Sequence, residues 1–233
     1  VIFRTTLSEG SNFIQDRFLS NNDGAEAVLA QAYLMDSLIK AALETVDTKL
    51  YRAPNPTRGE QLCIIAVGGY GRGELAPFSD IDLLFLLPYK QTPRVEQVVE
   101  TILYLLWDMK LKVGHSTRSI DECMRQAKAD MTVRTAILES RYICGEISLM
   151  EQMIARFREE IIKGSALEFV EAKLKESDDR HRQLGDSRYV IEPNIKDGKG
   201  GLRDLHKLFW IGKYAYKTDD VSALVTEGVL SLD

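Results

Sequence analysis

Between Val67 and Pro88 the chain reads VGGYGRGELAPFSDIDLLFLLP, an apolar run that begins on two aspartates, Asp80 and Asp82. Side chains alternate along a strand, so the two carboxylates share a face at its head. Ile81, Leu83, Phe85 and Leu87 take the other face, while Leu84 and Leu86 continue the aspartates' own. Such a strand is covered on both sides past its start. Burying an unpartnered carboxylate there costs roughly several kcal/mol, which leaves two readings. Either the strand starts at the surface with its acids solvated, or a hard, oxygen-seeking cation such as Mg²⁺ lies against them. Upstream, Cys63–Val67 reads as a buried strand ended by Gly68-Gly69, and Tyr70–Leu75 as a short helix. Glycines let the backbone approach a phosphate, and a helix start offers free N–H groups. Asp80 follows Gly69 by only eleven positions, so both elements can meet at one cleft.

Elsewhere the pattern alternates and then turns helical. After an irregular start, Gly24 to Leu50 reads as a helix, with Val28, Leu29, Tyr33, Leu34, Leu38, Ile39 and Leu43 at helical spacing. Ala53–Gly59, with two prolines, breaks it. Val95–Met109 is helical, Lys112–Arg118 a short strand or turn, and Asp121 to Ile162 mostly helical. A polar stretch, Lys173–Ser187, the loop Glu192–Gly201 and an amphipathic helix from Leu202 follow. The expected division is a helical segment over 1–52, an α/β core over 53–145 and a helical domain over 146–233. The length of 233 residues suits one large domain or two small ones. Thirty-five acids against thirty Lys and Arg give a net charge of -5, which argues against a non-specific nucleic-acid binder. Cys63, Cys123 and Cys144 form neither a disulfide framework nor a zinc pattern, so a cytoplasmic location is the default. No signal peptide is visible, and no apolar run approaches the ~20 residues that span a bilayer, so no membrane partner is expected. The absent initial Met and the apolar stretch Val225–Leu232 before the last residue make a piece of a longer protein the expectation.

The order strand, Gly-Gly, short helix, Ser79, Asp-x-Asp, apolar strand resembles the DNA-polymerase-beta-type nucleotidyltransferase superfamily. In detail, GGYGRGELAPFSDIDLLFL is similar to the bacterial protein-PII uridylyltransferase/uridylyl-removing enzyme family. Gly114-His115-Ser116 with Arg118, and the run from Glu192 to Asp204, agree with it. The resemblance implies an α/β fold with a mixed sheet and flanking helices, followed by the start of a helical domain. It implies transfer of UMP from UTP to a tyrosine of the nitrogen-regulatory protein PII, with Mg²⁺ or Mn²⁺ and release of pyrophosphate. Asp80 and Asp82 match the metal pair and Gly68 and Gly69 the phosphate-side glycines; Arg72 and Ser79 go with the nucleotide. Arg72 and Glu74 are also placed to form an ion pair.

The segment IEPNIKDGKGGLRDL sets Gly198, Gly200 and Gly201 ahead of a helix. Backbone donors near a phosphate, or an ordinary glycine-rich turn between helices, both fit that spacing. A similar run in glutamine-synthetase adenylyltransferases, which modify another target, points to the triphosphate. Lys196, Gly200, Gly201 and Arg203 are therefore assigned to the nucleotide by resemblance. Eleven Lys and Arg against seven Asp and Glu from Lys173 to Lys217 suit a triphosphate-facing wall, or simply a solvated face. A third carboxylate is sought in Glu139 of LESRYICG, because related adenylyltransferases place an acidic-x-Arg pair at a similar distance; an ordinary surface glutamate is the alternative, and Asp130 and Asp121 are rivals. His115 reads as structural, His181 as solvated, and Trp107, Phe209 and Trp210 as core. Adenylyl transfer to a protein or small molecule, and a non-catalytic nucleotide-sensing module, are the competing functions. The resembling family also removes UMP through a separate His-Asp phosphohydrolase domain and senses glutamine through ACT domains. The three histidines here precede Ser116, Arg182 and Lys207, so no His-Asp pair exists and UMP removal is not expected. With no room left for sensory modules of ~70 residues, a glutamine response is not expected either.

Overall fold

The first twenty residues set the frame: Ile2–Asn21 is a helix, α1, where an irregular start was expected. Its polar composition hides the period, since only Ile14 is buried. Asn22, in the left-handed conformation, ends it by donating its N–H to the Phe18 carbonyl. The computed structural model describes residues 1–53, 57–185, 192, 194–218, 221–226 and 228; Pro54, Pro56, Pro193 and the closing residues 229–233 lie outside these. Helix α2 (Gly24–Thr45) starts on Asp23, whose carboxylate accepts the Glu26 N–H, and continues through a π turn, Val46–Leu50. It buries Ala32, Met35, Leu38, Ile39 and Ala42, while Leu29 and Tyr33 of the expected apolar stripe are exposed.

Strand β1 (Cys63–Ala66), the short helix α3 (Gly68–Gly71) and strand β2 (Ile81–Leu87) follow, with β1 and β2 antiparallel. Helix α4 (Pro93–Asp108), capped by Thr92, carries the chain back so that β3 (Val113–Ser119) runs parallel to β2, with Asp82 opposite Gly114. After α5 (Ile120–Ala129) and α6 (Met131–Leu138), strand β4 (Arg141–Gly145) pairs antiparallel with β1. The stretch from Asp121 to Ile162, expected to be mostly helical, thus also contains a strand. Gly145 adopts φ 94°, and a Cβ there would lie 2.2 Å from the Leu62 carbonyl oxygen, so only glycine lets the two backbones close. Helices α7 (Ile147–Phe157), α8 (Ala166–Gln183), α9 (Leu202–Tyr216) and α10 (Val221–Thr226) complete the described chain. The polar stretch from Lys173 is helical as far as Gln183.

The sheet order is β3-β2-β1-β4, a mixed sheet. Ile64, Ala66, Ile81, Leu83, Phe85 and Leu87 pack on one side under α2 and α4. Cys63, Ile65, Leu84 and Leu86 pack on the other with α5, α7 and the α9 residues Trp210 and Tyr214. Phe169 of α8 stacks on Tyr214 at 3.9 Å between ring centroids, which joins the later helices to this second core. Burial pushes all three cysteine thiols up to about 12, which disfavours their thiolate forms.

Candidate active site

Asp80 lies just before β2 and Asp82 is its second residue, so the sheet itself fixes the acid pair. Two glycines clear space around it. A Cβ on Gly114 would stand 2.3 Å from Asp82 Oδ1, and one on Gly68, at φ 58°, would stand 3.3 Å from Oδ2. Burial, then the charge of Asp80, hold the Asp82 carboxyl above the usual carboxylate range. Among the described residues neither acid has a hydrogen-bond or ion-pair partner. Two neighbouring carboxylates with no compensating donor make a set that fits a hard divalent cation. Among the described residues, no three His, Cys, Asp or Glu side chains converge as a metal site.

The acids open into a cleft of about 1050 Å³ that also reaches Gly68, Gly69, Ser79, Arg72 and Glu139. Arg72 caps α3 and pairs with Glu139, its Nη1 donating to Oε1 at 2.6 Å, rather than with Glu74 as expected. Glu139 is not a surface residue: it is 4% exposed, at the end of α6. Its rivals are occupied elsewhere, Asp130 capping α6 and Asp121 pairing with Arg156.

Another part of the lining comes from the segment around the glycine loop and from α9. Asn194 Oδ1 accepts the N–H groups of Lys196 and Asp197, and its carbonyl accepts that of Gly198. The Gly201, Leu202 and Arg203 N–H groups go to the carbonyls of Gly198, Ile195 and Lys196. Gly200, at φ 81°, donates to Asp204 Oδ2 at 2.8 Å. The loop therefore uses these backbone donors on itself. Gly200 and Gly201 shape the turn without lining the cleft, and the side chains of Lys196 and Arg203 face it. Asp204 ties the turn to α8 by accepting from Arg180 at 2.8 Å, Ser177 at 3.2 Å and the His181 ring at 3.1 Å. Burial pushes its carboxyl up, but the Gly200 N–H and the charges of His181 and Lys207 outweigh this and hold it below the usual range. His181 is accordingly buried, not solvated.

His206 was not anticipated. It lines the cleft half-buried, and burial followed by the charges of Arg72, Arg203 and Lys196 pushes its imidazole down to about 4. A neutral ring thus sits where three cations from two separate elements converge. The available signal was spacing, since His206 follows Arg203 by three residues on one helix. Lys173 is also buried in this wall, its ammonium 4.9 Å from the Trp210 ring centroid and bonded to Glu176. Trp210 is core as expected and Phe209 packs against it, whereas Trp107 is 42% exposed beside the His115 ring.

Residues 57–143 match the family model of the nucleotidyltransferase domain, and residues 168–233 match that of GlnD PII-uridylyltransferase. The chain is 57% identical over 227 residues to the bifunctional uridylyltransferase/uridylyl-removing enzyme of Azospirillum brasilense, covering 97% of this chain and 24% of that protein. It is 54% identical over 233 residues to the protein of the same description from Rhodospirillum rubrum, and 50% over 229 to that from Rhodopseudomonas palustris, in each case across 25% of the relative. The chain thus spans about a quarter of the length of these relatives.

Proposed function

Because the chain belongs to the family of bifunctional uridylyltransferase/uridylyl-removing enzymes, we propose that it is a nucleotidyl-transferring part that moves UMP from UTP onto a tyrosine of PII and releases pyrophosphate. The observation that carries this reading is one cleft with an uncompensated acid pair, Asp80 and Asp82, facing the convergent cations Arg72, Lys196 and Arg203. Asp80 and Asp82 are the groups to hold Mg²⁺ or Mn²⁺. A divalent ion bound there supplies neutralisation of phosphate charge and a fixed template for the reactants.

The remaining work is done by the chain's own groups. Arg72, Lys196 and Arg203 bind triphosphate oxygens and hold the leaving pyrophosphate, the arginines through their planar forks. Gly68 and Gly69 let the α3 turn come close to the phosphates, beside Ser79. His206, kept uncharged among the cations, offers a hydrogen bond without adding charge. The phenol oxygen then attacks the α-phosphorus as the bond to the β-phosphate breaks, its proton passing to water and pyrophosphate leaving, a transfer governed by alignment and charge. The proposed division near residue 145 follows the same line, with the acids before it and Lys196 and Arg203 after it. Among the described residues no helix is long and apolar enough to cross a membrane, and action in the cytoplasm without nucleic acid or membrane belongs to the proposal.

The test incubates the chain, and a full-length relative beside it, with PII and each of the four α-labelled nucleoside triphosphates. The expected outcome is label on PII from UTP with equal release of pyrophosphate. Label from ATP in its place overturns the choice of UTP, and no label from any nucleotide on the chain or the relative overturns the acceptor.

A further inference from the structure

Glu139 lines the same cleft as Asp80 and Asp82, yet its surroundings describe a different task. Its side chain is 3% exposed, and its carboxylate accepts from Nη1 of Arg72 at 2.6 Å. That bond leaves Arg72 Nη2 beside Gly69, 3.6 Å from where a Cβ would stand on that phosphate-side glycine. Backbone contact holds the two partners in register, since a Cβ on Gly71 would fall 1.9 Å from the Glu139 carbonyl oxygen. Two residues on, Arg141 braces the same turn. Its Nη2 donates to the Tyr70 carbonyl at 3.3 Å, and both its amino groups bind Asp36, which also accepts the Tyr70 hydroxyl. Residues 139 and 141 thus grip the turn from Gly68 to Arg72 from one side, one at its last side chain and one at its middle.

The contrast with Asp80 and Asp82 is chemical. Those carboxylates have no donor among the described residues, whereas Glu139 is already neutralised by a guanidinium. Arg72 Nε is buried without a partner, so moving Glu139 to a metal would leave a largely enclosed cation unpaired. We propose that Glu139 is a positioning residue that fixes the Arg72 fork against the triphosphate, and that it is not a third metal ligand. This rests on the nucleotidyl-transfer reading, and the test separates the two.

Glu139→Gln, Glu139→Ala, Arg72→Ala, the Arg72→Ala/Glu139→Ala pair and Asp82→Asn are made in the full chain. Mn²⁺ affinity without nucleotide, UTP affinity and melting temperature are measured for each. Gln keeps an acceptor for Arg72, so Glu139→Gln should weaken UTP binding by no more than about threefold and Glu139→Ala by about tenfold. The pair should bind UTP no more weakly than Arg72→Ala alone, because a positioning residue has nothing left to position. Mn²⁺ affinity should stay within about twofold in Glu139→Gln and fall at least about tenfold in Asp82→Asn. Loss of Mn²⁺ binding in Glu139→Gln, or Ala effects that simply add in the pair, overturns the proposal. If Glu139→Ala fails to fold, Glu139→Gln with Arg72→Ala decides it through Mn²⁺ affinity. Should Asp82→Asn keep full Mn²⁺ affinity, the metal reading fails while the Arg72 coupling stands on its own result.

Discussion

Two glycine-rich turns flank the same cleft, the first lining it with Gly68 and Gly69 and the second reaching it through its flanking Lys196, Leu202 and Arg203, and they use glycine for opposite reasons. In the turn from Gly68 to Gly73 neighbours press inward: the Glu139 backbone occupies the space beside Gly71 and the Asp82 carboxylate the space beside Gly68. In the turn from Gly198 to Gly201 the pressure is internal, from the loop's own carbonyls, and Gly200 faces open space at positive φ. The first turn makes room for charges held by the sheet. The second folds on itself and projects cations. Glycine content alone therefore does not identify a phosphate loop; what the freed N–H groups bind does.

The strongest test of this difference removes charge from the sheet side. Asp80→Asn or Asp82→Asn should lower transfer at least about a thousandfold, since a metal site supplies several kcal/mol to such a reaction. The melting temperature should hold or rise, because a like charge is removed. Retention of more than a few per cent of transfer with either variant would sink the metal assignment.

Glycine replacement separates the turns directly. Gly71→Ala forces backbone apart and should cost about 3 kcal/mol of stability, against roughly 1–2 kcal/mol for Gly200→Ala, where only the left-handed backbone objects. Equal losses in chemical denaturation would show that the two turns are not different in kind. On the cationic side, Lys196→Ala and Arg203→Ala should each weaken UTP binding about tenfold with unchanged melting temperature, the worth of one charge-assisted hydrogen bond. Unchanged affinity would mean that these side chains face the cleft without serving it.

The smallest effect is on pH. A raised Asp82 carboxyl disfavours the folded state once ionised, so wild type should gain on Asp82→Asn as pH falls through the carboxylate range. His206 has the opposite slope. Its depressed folded value means that stability is full above the ordinary histidine range and is lost as pH falls from 6.5 towards 4, a loss that His206→Gln should remove. Melting curves of the three proteins between pH 4 and 8 check both signs.

The sheet side was legible because its signals are local. Alternation placed Asp80 and Asp82 on one face, and the Gly-Gly before them marked the turn. The partners were not legible. Glu74 is two residues from Arg72, but Glu139, sixty-seven residues away, is the one that pairs. Strand β4 escaped because five residues between two helices carry too few positions for a period of two to stand out. His181 looked solvated in DDRHR because its compensating acid, Asp204, is twenty-three residues further on. Helix α1 buries one residue and so shows almost no stripe. His206 gives little local signal for a related reason, since one of the cations around it, Arg72, comes from a distant element.

The sheet order carries a consequence for synthesis on the ribosome. Strand β1 starts at Cys63, but its second neighbour β4 starts only at Arg141, 78 residues later (141 − 63), and Asp36 waits 105 residues for Arg141. At about 5–20 residues per second, one edge of β1 stays bare for roughly 4–16 s while the chain emerges. The α1–α2 hairpin can close early from neighbouring contacts, so it is the element available to shield the growing sheet. Stalled nascent chains exposing residues 1–138 should therefore leave the β1–β2 region open to protease, and chains exposing 1–160 should protect it; equal protection in both would show that β1 is guarded before β4 arrives.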